Sequence, residues 1–303
     1  MSRSRALTRL RWLARHLEKP VLARARRPWL HRLRTEPMAR LLLRGRKPLA
    51  YRSETIGGVA CRVLKGGGGT VFYVHGGAFI LFSARSHQGL AARLAQPFGF
   101  DVVLPEYARA PEAAFPRALD EVTACYEAVA AASVGPVILA GDSAGGGLAL
   151  ALLHRILHRG LPLPAAVLAF SPWVDLTLSG PSIAANAKSD PILPANAVTM
   201  VRDMYLQGGF AEDPEASPVF GDFANGPPVL IQVCEDEILL SDSQAMARRI
   251  EGTGGRVTLQ VLPEGLHAFQ LFLGWIPEAD RALDACDDFL RQILLSAPSS
   301  PAT

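Results

Sequence analysis

Beyond residue 50 the chain alternates short apolar runs with longer stretches whose apolar residues recur every three or four positions. The apolar runs VACRVL (59–64), TVFYV (70–74), DVVLPEY (101–107), PVILA (136–140), AAVLAF (165–170), PVLIQVC (228–234) and RVTLQVL (256–262) read as strands. Several are apolar nearly throughout, as expected where both faces of a strand are covered. Between them, residues 86–98, 115–131, 143–159, 196–207, 241–252 and 277–295 read as helices. Strand following helix in this way predicts an α/β fold with a mostly parallel central sheet and helices on both faces.

Two segments depart from this rhythm. Residues 175–222 carry turn chemistry (SGPS, SDPILP, EDPEASP) around one helical stretch, and read as an insertion over the site. Residues 1–47 hold leucines at helical spacing among arginines, which predicts two or three short amphipathic helices broken at Pro20, Pro28 and Pro37. The division expected is therefore an N-terminal helical cap segment, 1–47, and a catalytic domain, 48–303, with its cap insertion around 175–222. The GGGG of 66–69 precedes a strand and not a helix, so it reads as a hairpin-like turn and not as a phosphate loop.

Charge sharpens the contrast between the parts. The 303 residues carry a formal net charge of +3. Residues 1–47 hold 15 Lys/Arg against 2 Asp/Glu, and the remainder holds 16 against 26. The basic block lacks the apolar centre of a signal peptide. It has no accompanying nucleic-acid motif, which argues against nucleic acid as partner. An outer face packed by its apolar stripe is the plainer reading, and peripheral contact with an anionic membrane the sharper one. The four cysteines (Cys61, Cys125, Cys234 and Cys286) are scattered, with no metal-like spacing, and read as thiols in a reduced compartment. No apolar run has the length of a membrane span. A cytoplasmic enzyme is the expectation.

In open α/β sheets the site lies beyond the carboxyl ends of the strands. Four strand ends carry chemistry: HGGAF after 70–74, GDSAGGG after 136–140, EDE after 228–234 and PEGLH after 256–262. GDSAG matches G-x-S-x-G in its proper setting, a strand running directly into a helix, which points to Ser143 as a nucleophile. A serine hydroxyl needs a base, and among seven histidines His267 sits in the right loop. His75 reads instead as a residue that holds its loop by a hydrogen bond. The base needs an orienting carboxylate. Asp236, just past its strand, is preferred, with Glu235, Glu237 and Asp242 as rivals. The order Ser143, Asp236, His267 is the α/β-hydrolase order. Backbone amides of Gly76, Gly77, Ala78 and Ala144 are the candidates for stabilising an oxyanion. Phe79, Phe82, Trp173 and Tyr205 are candidate pocket linings by position.

The motifs YVHGGAF, LPEYARAPEAAFPRALDE, LAGDSAGGGLAL, SPWVDLTLSG, DPILP, PPVLIQVCEDEILLSDS and EGLHAF span most of residues 55–295. Together they resemble the bacterial hormone-sensitive-lipase-like, or family IV, carboxylesterases. The resemblance implies an α/β-hydrolase core under a helical cap, hydrolysis of short-chain esters through an acyl-enzyme, and no metal and no organic cofactor. It implies the triad Ser143, Asp236 and His267, with Gly77 and Ala78 the usual donors of the HGG-type loop. Three motifs depart from the family form: Ala78 replaces the third glycine of HGGG, YARAPE retains Glu112 within an altered YRLAPE, and CEDEILLSDS replaces the commoner DPLRDE form. A lactone hydrolase of the monoterpene type is the alternative. Plant gibberellin receptors resemble the same family without its catalytic histidine, so His267 argues against a non-catalytic binding protein. The expected partner is a small-molecule ester, and a homodimer is left open.

Overall fold

The computed structural model describes residues 3–24, 27–43, 49–263 and 265–296. The 47/48 boundary and Glu264 of EGLHAF therefore lie outside the described residues. Among these residues eight strands form one sheet: β1 (Arg52–Ile56), β2 (Val59–Leu64), β3 (Thr70–Val74), β4 (Asp101–Pro105), β5 (Val137–Asp142), β6 (Ala166–Phe170), β7 (Val229–Cys234) and β8 (Val257–Leu262). Their order is β1-β2-β4-β3-β5-β6-β7-β8. The first two pairings, β1 with β2 and β2 with β4, are antiparallel, and all the others are parallel.

The pleat sends alternate residues of each strand to opposite faces. On β3, Phe72 and Val74 enter one apolar cluster with Leu119, Tyr126, Leu150 and Ile250. Val71 and Tyr73 enter the opposite one with Leu90, Leu104, Leu168 and Leu290. The first cluster is closed by helices α5 (Arg117–Ala132), α6 (Ser143–Arg159) and α9 (Leu240–Gly252), and the second by α4 (Gln88–Ala95) and α10 (Pro277–Ser296). Each fully buried large side chain contributes about 2 kcal/mol of transfer free energy, so both faces are needed to hold the sheet.

The strand β1 was not foreseen, because RSETI is polar and lies exposed on the sheet edge. The GGGG segment is not a hairpin turn: β4 lies between β2 and β3, so the glycines carry the chain past a strand inserted from further along the sequence. Pro20 and Pro37 do not break helices. The chain runs as α1 (Arg5–Leu13), a π-helical turn (Ala14–Glu18) and α2 (Lys19–Leu22), with Pro20 in the first turn of α2, where the wider π turn makes room for its ring. Pro28 opens α3 (Pro28–Leu42), the position where its missing N–H costs nothing. Pro37 lies within α3 on an exposed face, where water can solvate the carbonyl it leaves without a donor.

Between β6 and β7 the insertion carries two helices, α7 (Ser182–Ala185) and α8 (Val198–Leu206), where one was expected. The insertion and the N-terminal helices both reach the carboxyl end of the sheet: Leu22, Leu193 and Val201 share one cavity with Ser143.

Candidate active site

Strand β5 passes into α6 with no intervening residue, and Ser143 takes the bend with φ of +54°. That left-handed conformation costs a non-glycine residue roughly 1–2 kcal/mol. The close packing around it forbids side chains at the flanking glycines. A Cβ on Gly145 would lie 2.2 Å from the Val74 carbonyl oxygen, and one on Gly141 would lie 2.5 Å from the Gly145 carbonyl oxygen.

His267, in the loop after β8, lies between two partners. Its Nε2 is 2.8 Å from Ser143 Oγ, and its Nδ1 is 2.7 Å from Glu237 Oε2. A carboxylate only accepts, so Nδ1 carries the proton and Nε2 is left to accept from the serine hydroxyl. Glu237 is fully buried, and its Oε1 also accepts from Cys234 N (2.7 Å) and Ser171 Oγ (2.8 Å). Ser171 Oγ in turn accepts from Ala268 N, which ties the end of β6 to the histidine loop. Burial pulls the His267 imidazole down, but the hydrogen bond and charge of Glu237 outweigh it, and the net direction is upward.

The carboxylate facing His267 is thus Glu237, and not Asp236. The Glu237 N–H closes a turn on the Cys234 carbonyl, which brings its side chain back over the strand end. Asp236 is left at the outer corner, where its Oδ2 meets Arg11 Nη2 at 2.5 Å. Asp242 lies elsewhere: its Oδ2 accepts from Val174 N and Asp175 N. Asp190, not singled out from the sequence, is buried behind this turn. It accepts from Ile192 N and Leu193 N through Oδ1 and from Ile238 N through Oδ2. Burial, joined by the charge of Glu237, pushes its carboxyl up. Its signal lay in the SDPILP turn. Ser171 could have been found as the first residue past a strand at the same sheet edge.

The glycine-rich loop is fastened from behind. His75 donates from Nδ1 to the Gly76 carbonyl (2.8 Å) and stacks on Tyr107 with ring centroids 4.2 Å apart. Burial and the neighbouring His87 hold His75 down at about 3, so it is neutral. Asp142 Oδ1 accepts from Tyr73 Oη (2.8 Å) and from Gly76 N (3.0 Å). The Gly76 amide is therefore committed, which removes it from the oxyanion candidates. The amides of Gly77 and Ala78 have no acceptor among the described residues, and both residues have positive φ, +119° and +54°.

Beside Ser143 lies an apolar cavity of about 80 Å³, walled by Ala78, Trp173, Leu193, Val198, Val201 and Leu239 among others. Of the four aromatics expected to line it, only Trp173 does. Phe79 stacks on Tyr205 at 3.8 Å in the core, and Phe82 borders a separate groove between the N-terminal helices. Two stacked rings gain more from each other than from facing a pocket open to substrate.

Residues 71–271 match the alpha/beta hydrolase fold family, and the chain belongs to it. It is 37% identical over 226 residues to an acetyl-hydrolase of Streptomyces hygroscopicus, covering 74% of this chain and 76% of that one. A crystal structure of an esterase from the bacterial hormone-sensitive lipase family superposes with a TM-score of 0.86 at 30% identity, over 96% of this chain and 99% of that one. The crystal structure of EstE5 soaked with p-nitrophenyl butyrate gives a TM-score of 0.89 at 27% identity, over 97% and 100%. Within the α/β hydrolases the protein is a bacterial hormone-sensitive-lipase-like esterase, an enzyme that hydrolyses esters.

Proposed function

We propose that the protein hydrolyses short-chain carboxylic esters through an acyl-enzyme formed on Ser143, with His267 as base and Glu237 as the acid that orients it. The observation that carries this reading is the unbroken hydrogen-bonded line from Ser143 through His267 to Glu237. Ser143 Oγ attacks the ester carbonyl as His267 Nε2 takes its proton, and the resulting imidazolium is stabilised by Glu237. The oxyanion is met by the amides of Gly77, Ala78 and Ala144. Collapse expels the alcohol, which receives the proton from His267. Water, activated by the same imidazole, then attacks the acyl carbonyl and releases the acid. None of these steps calls on a metal or cofactor.

The small apolar cavity beside Ser143 supports short acyl groups. An acetyl-hydrolase among the relatives fits the same preference. The described residues of 1–47 and the 175–222 insertion act as the cap, since Leu22 and Val201 both wall that cavity. The test is hydrolysis of p-nitrophenyl esters from acetate to laurate by wild type, Ser143→Ala, Glu237→Gln and Asp236→Asn. Activity is expected to peak at short chains, to vanish in Ser143→Ala, and to survive only in Asp236→Asn among the variants. Turnover retained by Ser143→Ala would falsify the assignment.

The outer face of the N-terminal segment supports peripheral contact with an anionic membrane. Trp12, Leu13 and Leu17, and on α3 Trp29, Leu33 and Leu41, are all exposed. The segment's two acidic residues, Glu18 and Glu36, are matched to Arg34 and Arg40, whereas Arg5, Arg9 and Arg24 have no acidic partner among the described residues. Aromatic and leucine side chains rimmed by arginine suit the interfacial zone of a bilayer. No described helix is long and apolar enough to cross a membrane. Co-sedimentation with phosphatidylglycerol-containing vesicles is expected at low salt and weakened at high salt. A homodimer that covers this face and leaves the vesicles unbound overturns the reading. The four cysteines, all buried as thiols, suit a cytoplasmic setting.

A further inference from the structure

The inner face of the same N-terminal segment carries cations at steps of four: Arg11, Arg15 and Lys19. At 3.6 residues per turn such a row drifts by about 40° per step. Here the π turn intervenes, with Lys19 N–H bonded to the Ala14 carbonyl five residues back. The wider turn winds less per residue and offsets the drift, so all three side chains reach one place.

That place is the meeting point of three turns. Arg11 donates from Nη1 to the Gly265 carbonyl, two residues before His267, and from Nη2 to Asp236 Oδ2 at 2.5 Å, one residue before Glu237. Arg15 donates to the carbonyls of Lys188 (2.6 Å) and Ser189 (2.7 Å). Lys19 donates to those of Ala187 (2.8 Å) and Asp190 (2.6 Å). The 187–190 turn is joined to the acid turn in its own right: Asn186 Nδ2 donates to the carbonyls of Glu235 and Glu237, both at 2.8 Å, and Asp190 accepts from Ile238 N. Five carbonyl oxygens thus converge on three cations, which offset their mutual repulsion. Leu7, fully buried against Cys234, Leu266 and Phe269, seats the helix on the same two catalytic turns.

We propose that Arg11, Arg15 and Lys19 form a positioning clamp, by which the N-terminal segment sets the relative placement of the Glu237 turn, the His267 loop and the Leu193 wall of the acyl cavity. None of the three touches the reacting atoms. Arg11 acts on the acid–base pair through Gly265 and Asp236. Lys19 acts on the cavity wall through Asp190, whose Oδ1 holds Leu193 N. Arginine suits the first position because its planar fork serves a carbonyl and a carboxylate at once, which an ammonium does not.

The proposal rests on the Ser143–His267–Glu237 reading, and its test is separable from it. Full-length wild type, Arg11→Ala, Arg11→Lys, Asp236→Asn and Lys19→Ala are assayed on p-nitrophenyl acetate and hexanoate. Rates are normalised to active sites titrated with a fluorophosphonate, and melting temperatures are measured alongside. Arg11→Ala is expected to lower kcat per titrated site by about 10- to 100-fold, the size of effect a misplacement of about 1 Å produces, with KM nearly unchanged. Arg11→Lys and Asp236→Asn are expected to fall between it and wild type. Lys19→Ala is expected to change the hexanoate-to-acetate ratio more than kcat on acetate. A wild-type kcat per titrated site in Arg11→Ala overturns the clamp, whatever the melting temperature does, because the contacts then serve stability alone. Where Arg11→Ala does not fold, a wild-type kcat in both Arg11→Lys and Asp236→Asn overturns it equally. Failure of the triad reading shows elsewhere, as turnover retained by Glu237→Gln.

Discussion

At the scale of single residues, the choice between two adjacent carboxylates is decided by where their side chains point. Glu237 lies against His267 Nδ1, and Asp236 against Arg11. Glu237→Gln is therefore expected to lower kcat on the order of 10³- to 10⁴-fold, by losing the charge that stabilises the imidazolium and by favouring the wrong tautomer. Asp236→Asn, which keeps an acceptor for Arg11, is expected to cost no more than about tenfold. Steady-state kinetics on one activated ester separates them, and equal losses would contradict the assignment. The same contact fixes a pH dependence. Only neutral imidazole can take the serine proton, and Glu237 raises the pKa of His267. Activity should thus be lost as pH falls through a value above the ordinary imidazole range of about 6.5. A kcat/KM profile with its acid limb below that range contradicts this. Ser143 and His267 could be picked out from the sequence because each follows a strand in a distinctive motif. The carboxylate that faces His267 could not, because Glu235, Asp236 and Glu237 are alike in kind and position. Which one turns inward depends on a hydrogen bond to Cys234 and on an arginine from the far end of the chain.

At the scale of elements, strand ends carry the candidate site, and α8 and the N-terminal helices help wall the cavity beside it. Apolar runs of five to seven residues made the strands legible, to within a residue or two at most of their ends. The polar edge strand β1 had no such signal. The insertion of β4 between β2 and β3 is a matter of tertiary order, to which a local turn signal such as GGGG is blind. The pocket aromatics failed for a related reason. Position along the chain says which residues lie near the strand ends, but pairings such as Phe79 on Tyr205 decide which of them face inward. The wall that does face Ser143 includes Val201 of α8 and Leu239. Val201→Ala removes two methyl groups from a cavity of about 80 Å³. It is expected to raise kcat/KM for hexanoate relative to acetate by about tenfold, since each methylene accommodated is worth about 1–3 kcal/mol. The check is the ratio of the two esters in wild type and variant. A ratio that stays fixed means that the acyl chain lies elsewhere.

At the scale of the whole molecule, one buried acid links the insertion to the catalytic body and makes stability depend on pH. Asp242, on the first turn of α9, accepts from the amides of Val174 and Asp175, where the chain leaves β6 for the insertion. Burial, joined by the charge of Asp175, pushes its carboxyl up to about 8. In the unfolded chain the same group ionises near 3.9. Its contribution to stability is therefore fully present below about pH 4 and is lost progressively as pH rises towards 8, because the unfolded state releases the proton first. The melting temperature of the wild type is expected to fall by several degrees between pH 6 and pH 9. Asp242→Asn keeps an oxygen for the two amides and has no proton to lose, so its melting temperature should vary less over that interval and exceed the wild type's at pH 9. Melting curves of the two proteins in matched buffers decide it. Parallel curves would assign the alkaline loss to other groups and would leave Asp242 ionised in the folded protein at neutral pH. The activity of Asp242→Asn at pH 7 separates this linkage from catalysis: the residue stands apart from His267, so turnover per active site should match the wild type while the pH dependence of melting changes.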